Sequence, residues 1–119
     1  MTAVTVWYDG ACPLCIREIA LMRRLDRAGT IDFVDVAPEE ATCPIDRQLL
    51  LARFHAREGT ESSGAPILDG AAAFAAMWRA IPLLRPLGLV ARNGMVLAGL
   101  ERLYSAFLRV RPVLQSWAR

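Results

Sequence analysis

Two cysteines, Cys12 and Cys15, lie two residues apart where a short apolar run gives way to a helical pattern. The run 4–8 consists of β-branched and aromatic residues and is closed by an aspartate–glycine turn pair, which predicts a first, buried strand. Pro13 suits the first position of the following helix, because its missing N–H would have no intrahelical partner there. A cysteine pair at this junction has three interpretations: a redox dithiol, part of a zinc site, or two small core residues.

The remaining hydrophobic patterns alternate between strands and helices. In chain order they predict a helix from Pro13 to about Arg27, a strand at 31–36, a short helix capped by Asp46, strands at 53–57 and 66–68, a helix from Gly70 that Pro82 ends, and two helices at about 83–92 and 94–110.

This order of elements predicts an α/β fold. A strand–helix–strand unit pairs its strands in parallel through a right-handed crossover, whereas the two strands of a hairpin are antiparallel. With a CxxC pair at the start of the first long helix, the prediction is a thioredoxin-like mixed sheet with flanking helices and a helical C-terminal extension. We expect one domain over residues 1–119, with a core of 1–81 and an extension of 82–119.

Length and composition favour a globular chain in a reducing compartment. With 119 residues, 55% of them hydrophobic, the chain can bury a core without disulfide bonds. Its three cysteines are an odd number, unlike those of a disulfide-framed secreted module. The first residues have neither a basic stretch nor a long apolar run, so no signal peptide is predicted. Charged residues interrupt the apolar C-terminal stretch, which argues against a transmembrane helix. We predict a cytoplasmic location.

Charge is unevenly distributed along the chain. Residues 1–78 contain seven arginines and eleven acidic residues, whereas residues 79–119 contain seven arginines and a single acid, Glu101. Either the two parts neutralise each other, or the basic part contacts an acidic partner or, peripherally, an anionic membrane surface. Since no nucleic-acid-binding motif is present, we predict no nucleic-acid partner.

A redox dithiol fits the position of the cysteine pair best. The thiolate is the nucleophile of disulfide exchange, and an ordinary cysteine with a pKa of ~8.5 is mostly protonated at neutral pH. Cys12 is predicted at the helix N-cap, where free backbone N–H groups and the helix dipole stabilise an anion. Cys15 lies one turn further in and is predicted to be more covered. Cys12 is therefore the predicted attacking thiol and Cys15 the resolving thiol, while Arg17 either adds favourable charge or points to solvent.

The zinc interpretation combines Cys12 and Cys15 with Cys43 and His55. A structural zinc site usually brings its second pair of ligands as another closely spaced unit. Cys43 and His55 are twelve residues apart and fall on different predicted elements. We therefore predict no metal and no organic cofactor, and interpret Cys43 as a partly exposed loop thiol and His55 as a strand residue with a satisfied hydrogen bond.

Four residues next to the cysteines are predicted to support the site: Tyr8, Asp9, Gly10 and Pro13. The Asp9 carboxylate has two interpretations, an Asx-turn with the backbone beyond Gly10 or a general base for the resolving thiol. Tyr8 and Trp7 alternate across the strand, so one is expected in the core and the other beside the dithiol.

The segment from Asp9 to Cys15 resembles the signature of the DCC family of thiol-disulfide oxidoreductases, which is named for an Asp-x-x-Cys-x-x-Cys motif. Weaker similarities extend over nearly the whole chain. The family's Gly-x-x-Ala-Phe pattern matches residues 70–74, and its late Tyr-x6-Arg pattern matches Tyr104 with Arg111, although Arg109 also follows that tyrosine. The resemblance implies a thioredoxin-like fold and a redox role without a defined substrate.

One departure concerns a proline that thioredoxin-like enzymes place just before the third strand, beside the dithiol. No proline directly precedes residues 53–57 here, so we expect a differently built substrate groove. The predicted function is thiol-disulfide exchange with an unidentified protein or low-molecular-weight partner. The alternative is a non-catalytic thioredoxin-like binding module that uses the basic C-terminal surface.

Overall fold

A four-stranded mixed sheet forms the centre of the computed structural model, which describes residues 3–38, 40–41, 43–59 and 64–118. The strands are β1 (Val4–Tyr8), β2 (Ile31–Asp35), β3 (His55–Glu58) and β4 (Ile67–Asp69), in the spatial order β2-β1-β3-β4. The central strand β1 pairs in parallel with β2 and antiparallel with β3, and β3 pairs antiparallel with β4. This topology confirms the predicted mixed sheet and is consistent with a thioredoxin-like fold.

Five helices surround the sheet in the part of the chain that the structure describes. They are α1 (Pro13–Leu25), α2 (Arg47–Ala52), α3 (Gly70–Ala80), α4 (Arg85–Val90) and α5 (Gly94–Ala118). No helix among the described residues combines the length and apolarity needed to cross a membrane.

Alternation along β1 divides the core between the two faces of the sheet. On one face a cluster contains Val4 and Val6 of β1, packed against residues of α1 and α3 such as Ile19 and Met77. On the other face Trp7 packs in a smaller cluster of three buried residues, the others being Val36 and Leu50. Because successive side chains of a strand point to opposite faces, this short strand contributes to both clusters and fixes the loop that follows it between them.

The predicted elements are confirmed, but several of their ends are wrong: the strand predicted from Arg53 begins at His55, and the helix predicted at about 83–92 spans Arg85–Val90. The first helix ends at Leu25 instead of Arg27, because the buried Asp26 carboxylate accepts hydrogen bonds from the backbone N–H groups of Thr30 (3.2 Å) and Ile31 (3.0 Å) and so turns the chain into β2. The last helix continues past position 110 and through Pro112. That proline is exposed, so it costs the helix one hydrogen bond without disturbing the packed face.

Helix α5 is attached to the sheet by a charged network centred on Arg53, the residue at the end of α2. One guanidinium nitrogen, Nη2, donates to both carboxylate oxygens of Glu101 at 2.9 Å, and Nε lies 3.0 Å from the Asp69 carboxylate. Glu101 also accepts a hydrogen bond from the backbone N–H of Ala71 at 3.2 Å. The single acid of the basic C-terminal part therefore joins α5 to the start of α3.

Candidate redox site

The loop between β1 and α1 places Cys12 at the N-cap of the helix. Its backbone is extended (φ −91°, ψ 116°), and Pro13 takes the first helical position as predicted. The Cys12 sulfur accepts a hydrogen bond from the Cys15 N–H at 3.3 Å, and the Cys12 carbonyl accepts one from the Ile16 N–H at 3.0 Å. Sulfur here replaces the side-chain oxygen that usually caps a helix, so it lies at the positive end of the helix dipole.

The two thiols differ strongly in acidity. Burial raises the pKa of Cys12, but hydrogen bonds from the Cys15 thiol and N–H and from the Arg111 guanidinium outweigh it, and the pKa falls below its ordinary value. Burial, the hydrogen bond to Cys12 and the charge of the Cys12 thiolate together raise the pKa of Cys15 to about 12. Both cysteines are in the free form. A proton shared by the two sulfurs therefore stays on Cys15 and leaves the thiolate on Cys12.

The solvent exposure of the two cysteines contradicts one expectation. Cys12 exposes only 2% of its surface, whereas Cys15 is partly buried. The prediction that Cys15 is the more covered thiol is wrong, because Cys15 lines a cavity while the Cys12 sulfur is turned toward the first turn of α1. In this conformation Cys15 is therefore the more accessible thiol, whereas Cys12 is the more acidic one.

Arg111 supplies the positive charge of the site from the far end of the chain. Its Nη2 atom lies 3.5 Å from the Cys15 sulfur and 3.7 Å from a carboxylate oxygen of Asp9, and its side chain is 16% exposed. Burial lowers the pKa of Arg111, yet the hydrogen bond to Cys12 and the nearby negative groups raise it, so the guanidinium stays charged. Arg17, the candidate considered from the sequence, is exposed. The Tyr-x6-Arg pattern was the one signal that pointed to Arg111.

Asp9 forms the Asx-turn considered from the sequence. Its Oδ1 accepts a hydrogen bond from the Ala11 N–H at 2.9 Å, and its backbone carbonyl accepts one from the Cys12 N–H at 3.1 Å. The other carboxylate oxygen lies beside Arg111. Both oxygens are therefore engaged in holding the loop and the arginine, which leaves the general-base interpretation of Asp9 without support.

Gly10 is required by the close approach of Asp35, a residue that sequence reasoning missed. The Gly10 N–H donates to Asp35 Oδ1 at 2.9 Å, and the same oxygen accepts a hydrogen bond from the Ala37 N–H at 2.9 Å. A Cβ atom on residue 10 would overlap the Asp35 carboxylate. Asp35 thus joins the cysteine loop to the end of β2, and nothing in its local sequence reveals this contact.

A Gly10→Ala substitution is therefore expected to destabilise the protein. The new methyl group must displace the Asp35 carboxylate from both of its hydrogen bonds, and overpacking of this kind typically costs about 1–3 kcal/mol. Thermal or urea unfolding of the reduced protein measures the change. Gly94→Ala is the matched control, because a Cβ at residue 94 meets no atom within 4 Å. Equal stability of the two variants would refute the proposed close contact.

A cavity with a volume of about 40 Å³ lies behind the dithiol. Six of the residues that line it are aromatic, and both residues of the alternating pair, Trp7 and Tyr8, are among them. Trp7 is 5% exposed and packs in the core as well. The ionisable groups that line the cavity are Tyr8, Asp9, Cys15, Glu18, Arg53, Tyr104 and Arg111.

Comparison with known protein families shows which family the chain belongs to. The model of the DCC1-like thiol-disulfide oxidoreductase family matches residues 6–117. The chain belongs to this family. The match includes the CxxC pair, the cavity and the helix that carries Arg111, and it supports a redox role in general terms.

One relative is an uncharacterised chloroplastic protein of Arabidopsis thaliana. The two sequences are 32% identical over an alignment of 85 residues, and the alignment covers 67% of this chain and 38% of the relative. The chain thus matches well under half of that relative's length. No solved structure matches the chain significantly.

The family's Gly-x-x-Ala-Phe pattern has a structural reason at Gly70. This residue has a φ of 59°, in the left-handed region, and a Cβ atom there would overlap Arg53 Nη2 and Glu101 Oε1. Glycine is therefore needed where the charged network crosses the start of α3. Ala73 is completely buried in the core and leaves no room for a larger side chain.

The aromatic residues of the two family patterns meet at the cavity. Phe74 stacks on Phe54 with 4.1 Å between ring centroids, and it meets the Tyr104 ring edge-on at 5.6 Å. The Tyr104 hydroxyl accepts a hydrogen bond from the Phe54 N–H at 2.7 Å. Tyr104 and Arg111 lie seven residues, or about two turns, apart on α5 and both face the cavity. Tyr104 thereby fixes the helix that presents Arg111.

Arg53 and Phe54 occupy the positions directly before β3, where thioredoxin-like enzymes have a proline. Arg53 has extended backbone angles (φ −142°, ψ 156°), and its carbonyl lies 2.8 Å from Nδ1 of His55. The Phe54 ring lines the cavity. An aromatic ring and a paired guanidinium thus form this wall of the cavity.

Cys43 and His55 lie away from the dithiol. Cys43 is a partly buried loop residue packed against the smaller core cluster, and its thiol lies 3.7 Å from the Ala41 carbonyl. His55 is buried and has the hydrogen bond to Arg53 that the sequence interpretation assumed. Among the described residues, no three His, Cys, Asp or Glu side chains are grouped so as to hold a metal ion. The four residues of the zinc interpretation are therefore not brought together.

Proposed function

We propose that this chain is a thiol-disulfide oxidoreductase that cycles Cys12 and Cys15 between dithiol and disulfide, with Cys12 attacking and Cys15 resolving. The observation that carries the proposal is the difference between the two thiols. The pKa of Cys12 is lowered by hydrogen bonds from Cys15 and Arg111, and that of Cys15 is raised to about 12. The thiolate is the attacking form, so the first step belongs to Cys12.

The exchange proceeds in two steps. The Cys12 thiolate attacks a partner disulfide, a mixed disulfide forms, and one partner sulfur leaves as a thiolate. The sulfur of Cys15 then attacks that of Cys12, which closes the intramolecular disulfide and releases the second partner thiol. Two electrons pass from the cysteine sulfurs to the partner, so the bond exchange itself requires no metal or organic cofactor. A thiol donor reverses both steps.

Supporting roles in this proposal belong to the residues around the pair. Pro13 starts the helix that caps the Cys12 sulfur, and Gly10 permits the tight approach to Asp35. Asp9 orients both the loop and Arg111, while Tyr8 lines the cavity behind Cys15. Because Cys12 exposes only 2% of its surface, a partner disulfide reaches it after a local opening of the loop. The proposed partner is a protein or low-molecular-weight disulfide in a reducing compartment such as the cytoplasm.

Mild oxidation is expected to remove two of the three free thiols reversibly. Thiol titration before and after oxidation, followed by peptide mapping, should find Cys12 and Cys15 linked and Cys43 free. A Cys43→Ser variant is the control, and it should lose both of its remaining thiols. If no thiols are lost, or if Cys43 is part of the disulfide, the redox proposal fails and the thioredoxin-like binding module becomes the better interpretation.

A further inference from the structure

The resolving step needs an acceptor for the Cys15 proton. Burial is the largest cause that raises the pKa of this thiol, and it remains when Cys12 has lost its charge in a mixed disulfide. The neighbouring Arg111 has only donors to offer. Asp9 is occupied by the Ala11 N–H and by Arg111. The residues that contact the dithiol therefore provide no free base.

Glu18 lies on the same helix, one turn beyond Cys15. Residues three positions apart are neighbours on a helix surface, and both side chains line the cavity behind the dithiol. Glu18 is partly buried, and no hydrogen bond or ion pair connects it to another residue in the described ranges. A carboxyl group in this position is costly to bury without a partner, so its presence calls for an explanation.

A second cavity shares three of its lining residues with the first. Its volume is about 180 Å³. The residues Glu18, Phe74 and Tyr104 line both cavities. Glu18 therefore lies on the wall that the two cavities share.

We propose that Glu18 accepts the proton of Cys15 through the cavity and passes it to solvent, so that the resolving step is assisted by a base. This inference rests on the proposed disulfide exchange. The Cys15 S–H bond breaks and its proton moves to the Glu18 carboxylate, directly or through a water molecule in the cavity. The Cys15 sulfur bonds to that of Cys12, and the partner sulfur leaves with the electron pair of the broken S–S bond and takes a proton from solvent. Cys12 and Cys15 are oxidised, and the partner is reduced.

The acidity of Glu18 suits this role. Burial raises its pKa to about 7, so near neutral pH the carboxyl group can both accept and release a proton. The other charged or titratable groups on the cavity wall are Tyr8, Asp9, Cys15, Arg53, Tyr104 and Arg111. Arg53 is paired with Glu101 and Asp69, and Arg111 lies beside Asp9 and Cys15. Burial is the cause of the shift, and Glu18 is left as the unengaged acid of the cavity.

An aromatic disulfide whose released thiolate absorbs visible light separates the two steps. The first equivalent of colour reports formation of the mixed disulfide on Cys12, and the second reports ring closure by Cys15. In Glu18→Gln we expect an unchanged first phase and a second phase slowed about 100-fold at pH 7, since a positioned base typically contributes 10²–10⁴-fold. The difference should shrink toward pH 10, where solvent hydroxide deprotonates Cys15. Glu18→Asp should recover part of the rate, and Asp32→Asn, an exposed change on β2, should behave as wild type.

The outcomes separate this inference from the function on which it rests. Absence of the first phase in the wild type would overturn the proposed exchange itself. A normal first phase with an unchanged second phase in Glu18→Gln would leave the exchange intact and refute the role of Glu18. A second phase slowed equally at every pH would show a structural effect and refute it too. If Glu18→Gln does not fold, the wild-type second phase decides: its rate should rise with a midpoint near pH 7, and a rise with the pH profile of an unassisted thiol would contradict the proposal.

Discussion

A Cys15→Ser variant will accumulate a stable mixed disulfide through Cys12 and will not turn over. The attacking thiolate is retained, but the serine hydroxyl cannot displace the partner sulfur, so the reaction stops after its first step. With glutathione disulfide as the partner, mass spectrometry should find close to one glutathione per chain, attached to Cys12. The wild type under the same conditions should end as the intramolecular disulfide with no adduct. The expected loss of turnover is complete.

Two matched variants serve as controls for this experiment. Cys12→Ser should form no adduct at position 15 near neutral pH, because the pKa of Cys15 keeps it protonated, although loss of the Cys12 charge moderates that shift. Cys15→Ser combined with Cys43→Ser should still form the adduct in full, since Cys43 lies away from the dithiol. An adduct on Cys43, or a faster reaction of Cys12→Ser than of Cys15→Ser, would reverse the assignment of roles.

Replacing Arg111 by methionine will slow the alkylation of Cys12 about tenfold at pH 6, since an opposite charge within about 4–6 Å shifts a pKa by one unit or more. The guanidinium donates a hydrogen bond to Cys12 and lowers its pKa, so its loss moves the thiol toward the ordinary value. The thiolate fraction then falls at every pH below the ordinary pKa of a thiol, and the two proteins should converge at higher pH. Iodoacetamide labelling with peptide mapping gives the rate for each cysteine, and in the wild type Cys12 should react before Cys15.

Arg109→Met is the matched control, because it removes the same charge two residues away on an exposed part of α5. It should leave the labelling of Cys12 unchanged. Arg111→Lys should recover part of the rate, since an ammonium group keeps the charge but loses the planar set of donors. Equal effects of the Arg109 and Arg111 substitutions would mean that net charge, and not the contact with the dithiol, controls Cys12.

The parts of the fold and of the site that depend on neighbouring residues in the chain could be predicted from the sequence. A β-branched run followed by a turn and a proline specifies β1, the N-cap cysteine and the start of α1 without reference to distant residues. The alternating hydrophobic patterns likewise predicted the strands, and Gly70 predicted the start of α3. Helix termini were less certain, because Asp26 ends α1 through hydrogen bonds to backbone that lies beyond the helix.

Two of the residues that tune the site lie far along the chain from the cysteines, and apart from the Tyr-x6-Arg pattern that includes Arg111 no sequence signal marks them. Arg111 contacts Cys15 across 96 positions, and Asp35 contacts Gly10 across 25. An arginine on an amphipathic helix and an aspartate at a strand end are usually solvated surface residues, so their pattern does not identify them. Glu18 is similar: its position beside Cys15 follows from helical spacing, but its burial depends on α3 and α5 covering it. Tertiary packing, not sequence pattern, gives these three residues their chemistry.

The contact between Arg111 and the dithiol can form only after nearly the whole chain has been made. Strands β1 to β4 and helices α1 to α3 are all made before residue 81, so most of the core can assemble on the ribosome while both cysteines still lack their arginine. Closing a loop of 96 residues costs chain entropy that only the docking of α5 repays. In an incomplete nascent chain the pKa of Cys12 is therefore lowered by the hydrogen bonds from Cys15 but not by Arg111. The full lowering of the Cys12 pKa therefore requires the last helix to be in place.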